Sequence, residues 1–259
     1  GVPFIAWQLI EHPDREKYDL SSIDAISYGG APSAPELVSK IHEIFGALPG
    51  NGWGMTETMA TVTSHLAEDY LNRPDSCGPA VAVSDLKIMS EDGATELPIG
   101  AVGELWARGP QIVKGYWNRP DATAETFVDG WVRTGDLARV DDEGFCYIVD
   151  RAKDMIIRGG ENISVVEIEG LLFEHPRIAA VAIVAMPDPR LGERACAFVR
   201  LVDDEPLALD ELRDFLLDQG VAKVYLPERL EVIDEMPMTP SGKVQKFALR
   251  NVAQSLAAE

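Results

Sequence analysis

The second half of the chain carries residues whose types and spacing suit sugar binding: Asp136, Arg151, Lys153 and the Gly159–Gly160 pair. Asp136 can accept hydrogen bonds from two neighbouring hydroxyls, and Arg151 ends an alternating strand that would aim its guanidinium at the same place. The polar stretch that follows suits a hinge. The pattern predicts a clamp for ribose hydroxyls beside a hinge. A surface salt bridge with ordinary hairpin glycines stays open as the alternative.

A second group lies in a predicted loop with two glycines, an aromatic ring, hydroxyls and a carboxylate: Asn51, Gly52, Trp53, Gly54, Met55, Thr56, Glu57 and Thr58. The glycines would let the backbone approach a ligand, and Trp53 offers a flat face for a base. Thr56 can donate to a phosphate oxygen, and Glu57 can hold Mg²⁺. The loop therefore predicts contacts to base, phosphate and metal. The alternative is a helix start capped by Thr56, with Trp53 merely packed.

A third signal is the segment PMTPSGKVQK at residues 237–246. Its prolines and glycine favour a tight exposed turn, with Lys243 at the tip as a mobile charge suited to a phosphate or carboxylate oxygen. Such a lysine alone is commonly just solvated. It gains interest because only a domain rotation would bring it to Asp136 and Glu57.

Composition bounds the class of protein. The 259 residues are 46% hydrophobic, enough for one large domain or two modest ones. The net charge of −20 would repel nucleic acids and anionic membranes, so a nucleotide needs a local site. The longest apolar run, Ile178 to Met186, is shorter than the roughly 20 residues of a membrane span. These features predict a cytoplasmic protein without a transmembrane segment or a nucleic-acid partner. The dispersed cysteines predict buried thiols instead of a metal cluster or a disulfide framework: Cys77, Cys146 and Cys196.

Hydrophobic periodicity divides the chain into three parts. Residues 1–77 alternate helix and strand, with helices at Val2–Glu11 and Pro35–Phe45, and are interpreted as part of a large α/β domain. Residues 78–150 read as short alternating strands separated by turns, which predict a small antiparallel β-barrel or sandwich. Residues 151–259 predict a compact α+β domain. The hinge is placed at residues 151–154.

The last part contains these predicted elements: a helix from Ser164 to His175, strands at Val181–Ala185 and Ala195–Val202, a helix at Leu209–Gln219 and a strand at Arg229–Ile233. Gly220 is placed to stop the second helix.

Six motifs occur in an order that resembles the adenylate-forming (AMP-binding) superfamily, which includes acyl-CoA synthetases, luciferases and adenylation domains: GGAP at 29–32, WGMTET at 53–58, GELWARG at 103–109, TGD at 134–136, DRAKDMIIRGGENI at 150–163 and PSGKVQK at 240–246. The resemblance covers essentially the whole chain. It implies an ATP-dependent acid–CoA ligase that forms an acyl adenylate and then a thioester with coenzyme A. The implied cofactors are ATP or AMP, Mg²⁺ and coenzyme A. A homodimer stays open as the assembly state.

The resemblance also assigns roles to individual residues. The nucleotide would be held by Gly30, Ala31, Pro32, Asn51, Gly52, Trp53, Gly54, Met55, Thr56, Asp136 and Arg151. Within this set, residues 30–32 and Trp53 would enclose adenine, Thr56 would contact the α-phosphate and Glu57 would hold Mg²⁺. Lys153 would be the hinge, and Lys243 would stabilise charge as the carboxylate attacks phosphorus.

In a second conformation the Gly159–Gly160 strand would face the active site and line a passage for pantetheine, with the turn at Leu191–Glu193 nearby. Domain rotation would then serve both half-reactions.

One departure from the family is large, because its glycine- and hydroxyl-rich phosphate loop has no counterpart in these residues. The sequence is therefore expected to correspond to the C-terminal half of a synthetase and not to complete adenylation by itself. Gly54 stands where acetate-specific members resemble one another in having a second tryptophan, which predicts a fatty or cyclic acid larger than acetate. An aryl-acid adenylating enzyme, a carrier-protein-loading adenylation domain and a non-catalytic nucleotide-binding module are the alternatives.

Overall fold

The computed structural model describes residues 1–30, 33, 35–203, 205–239 and 243–257. Tertiary contacts divide the chain into two units, Gly1–Ala152 and Lys153–Glu259. Ala31 and Pro32 of the predicted adenine-binding turn, and residues 240–242 of the predicted lysine turn, lie outside the described residues.

The first unit begins with a small sheet and the helices around it: α1 (Pro3–Glu11), β1 (Ala25–Gly29), α2 (Pro35–Phe45), β2 (Leu48–Met55), β3 (Ala60–Leu66) and α3 (Ala67–Asn72). Strand β2 lies in the centre, parallel to β1 and antiparallel to β3. Helix α2 buries Leu37, Val38 and Ile41, whose spacing places them on one helical face. The two predicted helices are confirmed.

The glycine-rich segment before Thr56 is a strand, so the predicted loop at residues 51–55 is wrong. Gly29 pairs with Gly52 in the parallel register, and a Cβ added at Gly29 would lie 2.7 Å from the Gly52 carbonyl oxygen. A Cβ added at Gly54 would lie only 1.4 Å from the Ala60 carbonyl oxygen of β3. These glycines therefore let three backbones approach one another. The space where a side chain of residue 54 would begin is filled by the backbone of β3. The glycine therefore does not by itself open a pocket for an acid.

The rest of the first unit is a second, antiparallel sheet with one short helix: β4 (Gly78–Pro79), β5 (Asp85–Met89), β6 (Gly103–Arg108), α4 (Pro120–Thr126), β7 (Phe127–Val128), β8 (Trp131–Val140) and β9 (Phe145–Arg151). The strand order is β4-β9-β8-β6-β5, with β7 paired to β8. The predicted short antiparallel strands are confirmed. A closed barrel is not formed by the described residues, because the sheet ends at β4 and β5 and β4 is only two residues long.

The second unit is an α+β domain: β10 (Ile156–Arg158), β11 (Glu161–Ile163), α5 (Val165–Phe173), β12 (Ile178–Asp188), β13 (Gly192–Leu201), α6 (Leu209–Asp218), β14 (Arg229–Val232) and α7 (Lys246–Leu256). The strand order is β11-β10-β13-β12, and β14 runs parallel to β13. The elements predicted for this part are confirmed, while α7 was not foreseen.

Both faces of the β12–β13 hairpin are buried, which explains its continuous apolar runs. Val181 and Ile183 share one cluster with Leu212 of α6, whereas Ala182 and Val184 share another with residues of α7. Because neighbouring side chains alternate between faces, one hairpin supplies two cores.

Two further predictions concern single features. Cys77, Cys146 and Cys196 are buried free thiols, as predicted. Within the described ranges, no helix combines the length and apolar character needed to cross a membrane.

Candidate functional site

Asp136 is the centre of the predicted sugar clamp, and it is held from two directions. It lies on β8 directly opposite Arg151 on β9. Arg151 donates its Nε–H to Oδ1 of Asp136 at 3.0 Å, and Trp53 donates its indole Nε1–H to Oδ2 at 2.8 Å. The Asp136 side chain is only 6% exposed, whereas that of Arg151 is 53% exposed. A fixed buried carboxylate thus stands beside a guanidinium that reaches solvent.

The segment of β8 that presents Asp136 is tied to a second buried carboxylate, Glu104 on β6. Glu104 Oε2 accepts from the Trp106 indole at 3.0 Å and from Arg133 Nε and Nη2 at 3.1 and 3.0 Å. Its Oε1 accepts from the backbone N–H of Gly135 at 3.3 Å. Gly135 has a φ of +70°, which a residue with a side chain adopts only at a cost. Glu104 therefore stabilises the backbone of β8 immediately before Asp136, where the pairing of β6 with β8 shifts register.

Glu104 was not assigned a role from the sequence. It stands two residues before Trp106 on β6, and the period of two in a strand places both side chains on the same face. That spacing was the available signal. The partners Arg133 and Gly135 come from another strand, and no local pattern indicates them.

Trp53 connects the small sheet to the second sheet. Its backbone N–H donates to Thr63 Oγ1 at 3.2 Å, and Thr63 Oγ1 donates to the Cys77 carbonyl at 2.7 Å. The indole packs partly buried against Leu86 and its neighbours. The indole N–H is thus committed to Asp136. Stacking of a base on the ring face stays a prediction.

Residues Thr56–Thr58 form a single turn of 3-10 helix directly after β2. Thr56 is exposed at the start of this turn, and the backbone N–H of Met55 donates to Thr58 Oγ1 at 3.0 Å. The capping alternative named the wrong threonine, because Thr58 makes this contact. The turn ends at Met59 and Ala60, with φ of +48° and +88°, so two residues with side chains occupy strained conformations beside the predicted phosphate contact.

Glu57 is held at both its main chain and its side chain. Tyr116 donates its hydroxyl to Glu57 Oε1 at 2.6 Å, and the Val113 backbone N–H donates to the Glu57 carbonyl at 2.9 Å. Burial, together with this carboxylate, raises the pKa of Tyr116, so the phenol stays protonated at neutral pH. The sequence reasoning missed Tyr116, whose partner lies 59 positions away.

The predicted adenine turn begins where β1 ends. Gly30 follows the last residue of β1 with a φ of +77°. Asn51 is turned toward its own strand: its Oδ1 accepts from the Gly52 N–H at 2.8 Å, and its Nδ2 donates to the Ser76 carbonyl at 3.4 Å. Asn51 therefore orders the backbone beside Trp53, and its predicted contact to a nucleotide stays a prediction.

Four predicted site residues belong to the second unit. Lys153 is its first residue and is exposed. Gly159 and Gly160 form the turn of the β10–β11 hairpin with φ of +60° and +90°, so the predicted glycine strand is a turn. The Gly159 N–H donates to the Leu191 carbonyl at 2.7 Å. The roles of these residues toward the first unit stay predictions.

Lys243 is exposed, and its backbone pairs with Thr239. Its N–H donates to Thr239 Oγ1 at 3.1 Å, and its carbonyl accepts from the Thr239 N–H at 2.8 Å. The described flanks of this turn therefore pair with each other, and the Met238–Val244 bridge extends that pairing. The catalytic role of the Lys243 ammonium stays a prediction.

Comparison with known proteins identifies the class. The profile of the AMP-binding enzyme family matches residues 1–117, and the profile of the AMP-binding enzyme C-terminal domain matches residues 167–243. The chain therefore belongs to the AMP-binding, or adenylate-forming, enzyme family.

Two curated relatives are similar to nearly the whole chain. A medium/long-chain-fatty-acid–CoA ligase of Mycobacterium tuberculosis is 38% identical over 256 residues, which are 96% of this chain and 45% of that protein. A feruloyl-CoA synthase of an Amycolatopsis species is 38% identical over 254 residues, 96% of this chain and 50% of that protein. The chain thus spans about half the length of the curated relatives it matches.

A solved structure shows the same fold. The o-succinylbenzoate CoA synthetase of Bacillus subtilis, in complex with its acyl-adenylate intermediate, superposes with a TM-score of 0.84 at 32% identity, over 97% of this chain and 49% of that one.

Proposed function

We propose that the chain acts in an ATP-dependent acid–CoA ligase. The observation that carries this proposal is the buried Asp136 carboxylate, fixed by Trp53 and Arg151, in a chain of the AMP-binding enzyme family. In the first half-reaction a carboxylate oxygen attacks the α-phosphorus of ATP and pyrophosphate leaves. In the second, the CoA thiolate attacks the acyl carbonyl and AMP leaves.

The Asp136 carboxylate is proposed to accept the ribose hydroxyls. Its position is fixed by Trp53 and Arg151, and a carboxylate can accept from more than one donor at each oxygen. Arg151 neutralises the buried charge with Nε and keeps its exposed terminal nitrogens for the sugar or the phosphate.

Mg²⁺ is the divalent cation that this chemistry requires. The residues that the structure describes can supply one carboxylate ligand for it but not a complete set of ligands. Among the described residues, no group of three or more carboxylate, histidine or cysteine side chains could enclose a metal ion. Mg²⁺ in nucleotide enzymes typically uses one or two carboxylates together with phosphate oxygens and water. Glu57 is therefore proposed as the protein ligand. Bound there, the cation would neutralise charge on the phosphates of ATP.

The second unit is proposed to serve the two half-reactions in turn. Lys243 would place its ammonium near the developing charge during adenylation. After rotation at Lys153, the Gly159–Gly160 turn would line the pantetheine passage. This part of the proposal comes from the family resemblance of these residues.

The acid is proposed to be larger than acetate. The relatives include a medium/long-chain-fatty-acid–CoA ligase and a feruloyl-CoA synthase, and the identity to each is 38%. Fatty acids are the first candidates, and the feruloyl-CoA synthase specifically favours aryl acids as the second.

The test is a substrate panel assayed with the full-length gene product. Acetate, octanoate, palmitate, benzoate and ferulate are supplied with Mg·ATP, and acid-dependent pyrophosphate exchange and CoA-ester formation are measured. We expect exchange and thioester with at least one of the larger acids. Strict acetate preference would overturn the acid class. Adenylate formation without CoA transfer would favour a carrier-protein acceptor, and nucleotide binding without exchange would favour the non-catalytic module.

A matched pair of variants tests the clamp. Asp136→Asn should raise the KM for ATP by about tenfold or more and weaken the preference for ATP over 3′-deoxy-ATP, because a buried charged acceptor is lost. Asp85→Asn is the control, since Asp85 pairs with Arg108 on the exposed surface of the same unit at 2.7 Å. Equal behaviour of the two variants would exclude Asp136 from ribose binding.

A further inference from the structure

The hydrogen bond from Tyr116 to Glu57 joins two segments that the sequence does not connect. The Tyr116 hydroxyl lies 2.6 Å from Glu57 Oε1, a short distance that is typical of a hydroxyl bound to an ionised carboxylate. Tyr116 belongs to the connection between β6 and α4, whereas Glu57 lies in the turn after β2. The bond therefore fixes the turn from outside.

Tyr116 is itself held in place by later parts of the chain. Its backbone N–H donates to Thr123 Oγ1 of α4 at 2.9 Å. Its ring meets the Phe127 ring edge-on, with 5.6 Å between the centroids. Gly115 precedes it with a φ of +152°, and a Cβ there would lie 2.5 Å from Thr123 Cγ2. The phenol is thus a constrained donor with a defined direction.

The turn that carries Glu57 needs such a constraint. Met59 and Ala60 immediately after it both have positive φ, which is unfavourable for residues with side chains. The Val113 N–H holds the Glu57 carbonyl at 2.9 Å, and Tyr116 holds its carboxylate at 2.6 Å. The connection between β6 and α4 therefore holds both the backbone and the side chain of Glu57.

The two carboxylate oxygens of Glu57 therefore have different surroundings. Oε1 accepts the Tyr116 hydroxyl, and within the part of the chain that the structure describes no other side chain donates to the group. A carboxylate held through one oxygen cannot rotate freely, so its second oxygen keeps one direction. Loss of a partner that orients a metal ligand in this way typically lowers metal affinity or activity by about 10–100-fold.

We propose that Tyr116 is a positioning residue that orients the Glu57 carboxylate for the divalent cation of the bound nucleotide. The proposal rests on the proposed function, because it takes Glu57 as the protein ligand of that cation. It concerns a residue outside the predicted nucleotide-binding set. Tyr116 acts through Glu57 and needs no contact with substrate.

The experiment compares Tyr116→Phe with Tyr147→Phe in the full-length gene product. Tyr147 is a matched control, because its hydroxyl donates to Asp141 Oδ2 at 3.0 Å in the turn between β8 and β9. Each protein is mixed with one equivalent of ATP and no acid, and Mg²⁺ is titrated in calorimetrically beside the same titration into ATP alone. We expect the apparent Kd for Mg²⁺ to rise about tenfold for Tyr116→Phe and to stay at the wild-type value for Tyr147→Phe.

A second pair of variants separates positioning from general stability. In a Glu57→Gln background, Tyr116→Phe should cause no further loss of Mg²⁺ affinity, because the two residues act on one ligand. Thr123→Val removes the acceptor of the Tyr116 backbone N–H, together with the bond from the Thr123 hydroxyl to the Arg119 carbonyl, but leaves the Tyr116 hydroxyl in place. It should therefore raise the Kd less than Tyr116→Phe does. It also keeps the test open if Tyr116→Phe does not fold.

The outcomes are distinct. An unchanged Kd for Mg²⁺ in Tyr116→Phe, or an equal rise in Tyr147→Phe, would overturn the role of Tyr116. Additive losses in the double variant would overturn it as well. Absence of acid-dependent pyrophosphate exchange in the wild type would overturn the proposed function instead, and the calorimetric comparison does not depend on that exchange.

Discussion

The indole N–H of Trp53 donates to the Asp136 carboxylate at 2.8 Å, across 83 positions of sequence. This bond joins the small sheet to the antiparallel sheet within the first unit. Trp53 was predicted to contact the base of a nucleotide and Asp136 its ribose. Because of this bond, each of the two side chains fixes the position of the other. Loss of either side chain is therefore expected to disturb the other.

Trp53→Phe keeps an aromatic face but removes the N–H donor to Asp136. Because a hydrogen bond to a charged group contributes about 1.5–3 kcal/mol, the KM for ATP is expected to rise by about tenfold. Steady-state kinetics of pyrophosphate exchange measure this change. Trp117→Phe is the control, since Trp117 is 91% exposed. A Trp53→Phe enzyme with the ATP affinity of that control would show that the Asp136 bond has no part in nucleotide binding.

Glu104→Gln keeps the shape of a buried side chain and removes its charge. The side chain is only 10% exposed and serves Arg133, Trp106 and the Gly135 backbone, so the free energy of unfolding should fall by about 2 kcal/mol. Urea denaturation of the full-length gene product measures it. Glu143→Gln removes an exposed partner of Arg73 and should cost less than about 1 kcal/mol. Similar losses for both variants would contradict a special role for Glu104 in holding the β8 backbone beside Asp136.

Lys243→Ala is expected to abolish acyl-adenylate formation far more than thioester formation from preformed adenylate. The reason is that the ammonium is needed while negative charge develops on the phosphates, a requirement confined to the first half-reaction. The two half-reactions are measured separately by pyrophosphate exchange and by CoA-ester release. Lys223→Ala, at an exposed position of the same unit, is the control. Equal loss of both half-reactions would contradict the two-conformation proposal.

The buried side chain of His65 is expected to make the folded protein less stable in mild acid. Burial lowers the pKa of His65 below its ordinary value of 6.5, despite a hydrogen bond between Nε2 and the Ser76 carbonyl at 2.9 Å. The unfolded chain therefore binds this proton at a higher pH than the folded one. The stabilising contribution is complete above pH 6.5 and is lost as the pH falls from there through the folded pKa.

The test is chemical denaturation at several values from about pH 7 to about pH 5. The wild type should lose stability across this window, and His65→Gln should lose less. His42→Gln, on an exposed position of α2, is the control and should keep the wild-type slope. An unchanged slope in His65→Gln would refute the assignment.

The elements with strong local patterns were predictable. Helix α2 places Leu37, Val38 and Ile41 on one side, and the β12–β13 hairpin is apolar on both faces, so period and composition indicate each correctly. Strand β2 was predicted as a loop, because glycine disfavours strands locally. Its glycines instead admit the backbones of β1 and β3, and a neighbouring strand is invisible in a local pattern.

The sequence by itself determined the family, the order of its motifs and the identity of Asp136 and Arg151 as a pair. The reason is that motif spacing and the strand period are short-range properties of the chain. Only the tertiary structure decided that Trp53 donates to Asp136, that Glu104 holds the β8 backbone before Asp136 and that Tyr116 holds Glu57. Those contacts join segments far apart in the chain, and burial in a shared core brings them together.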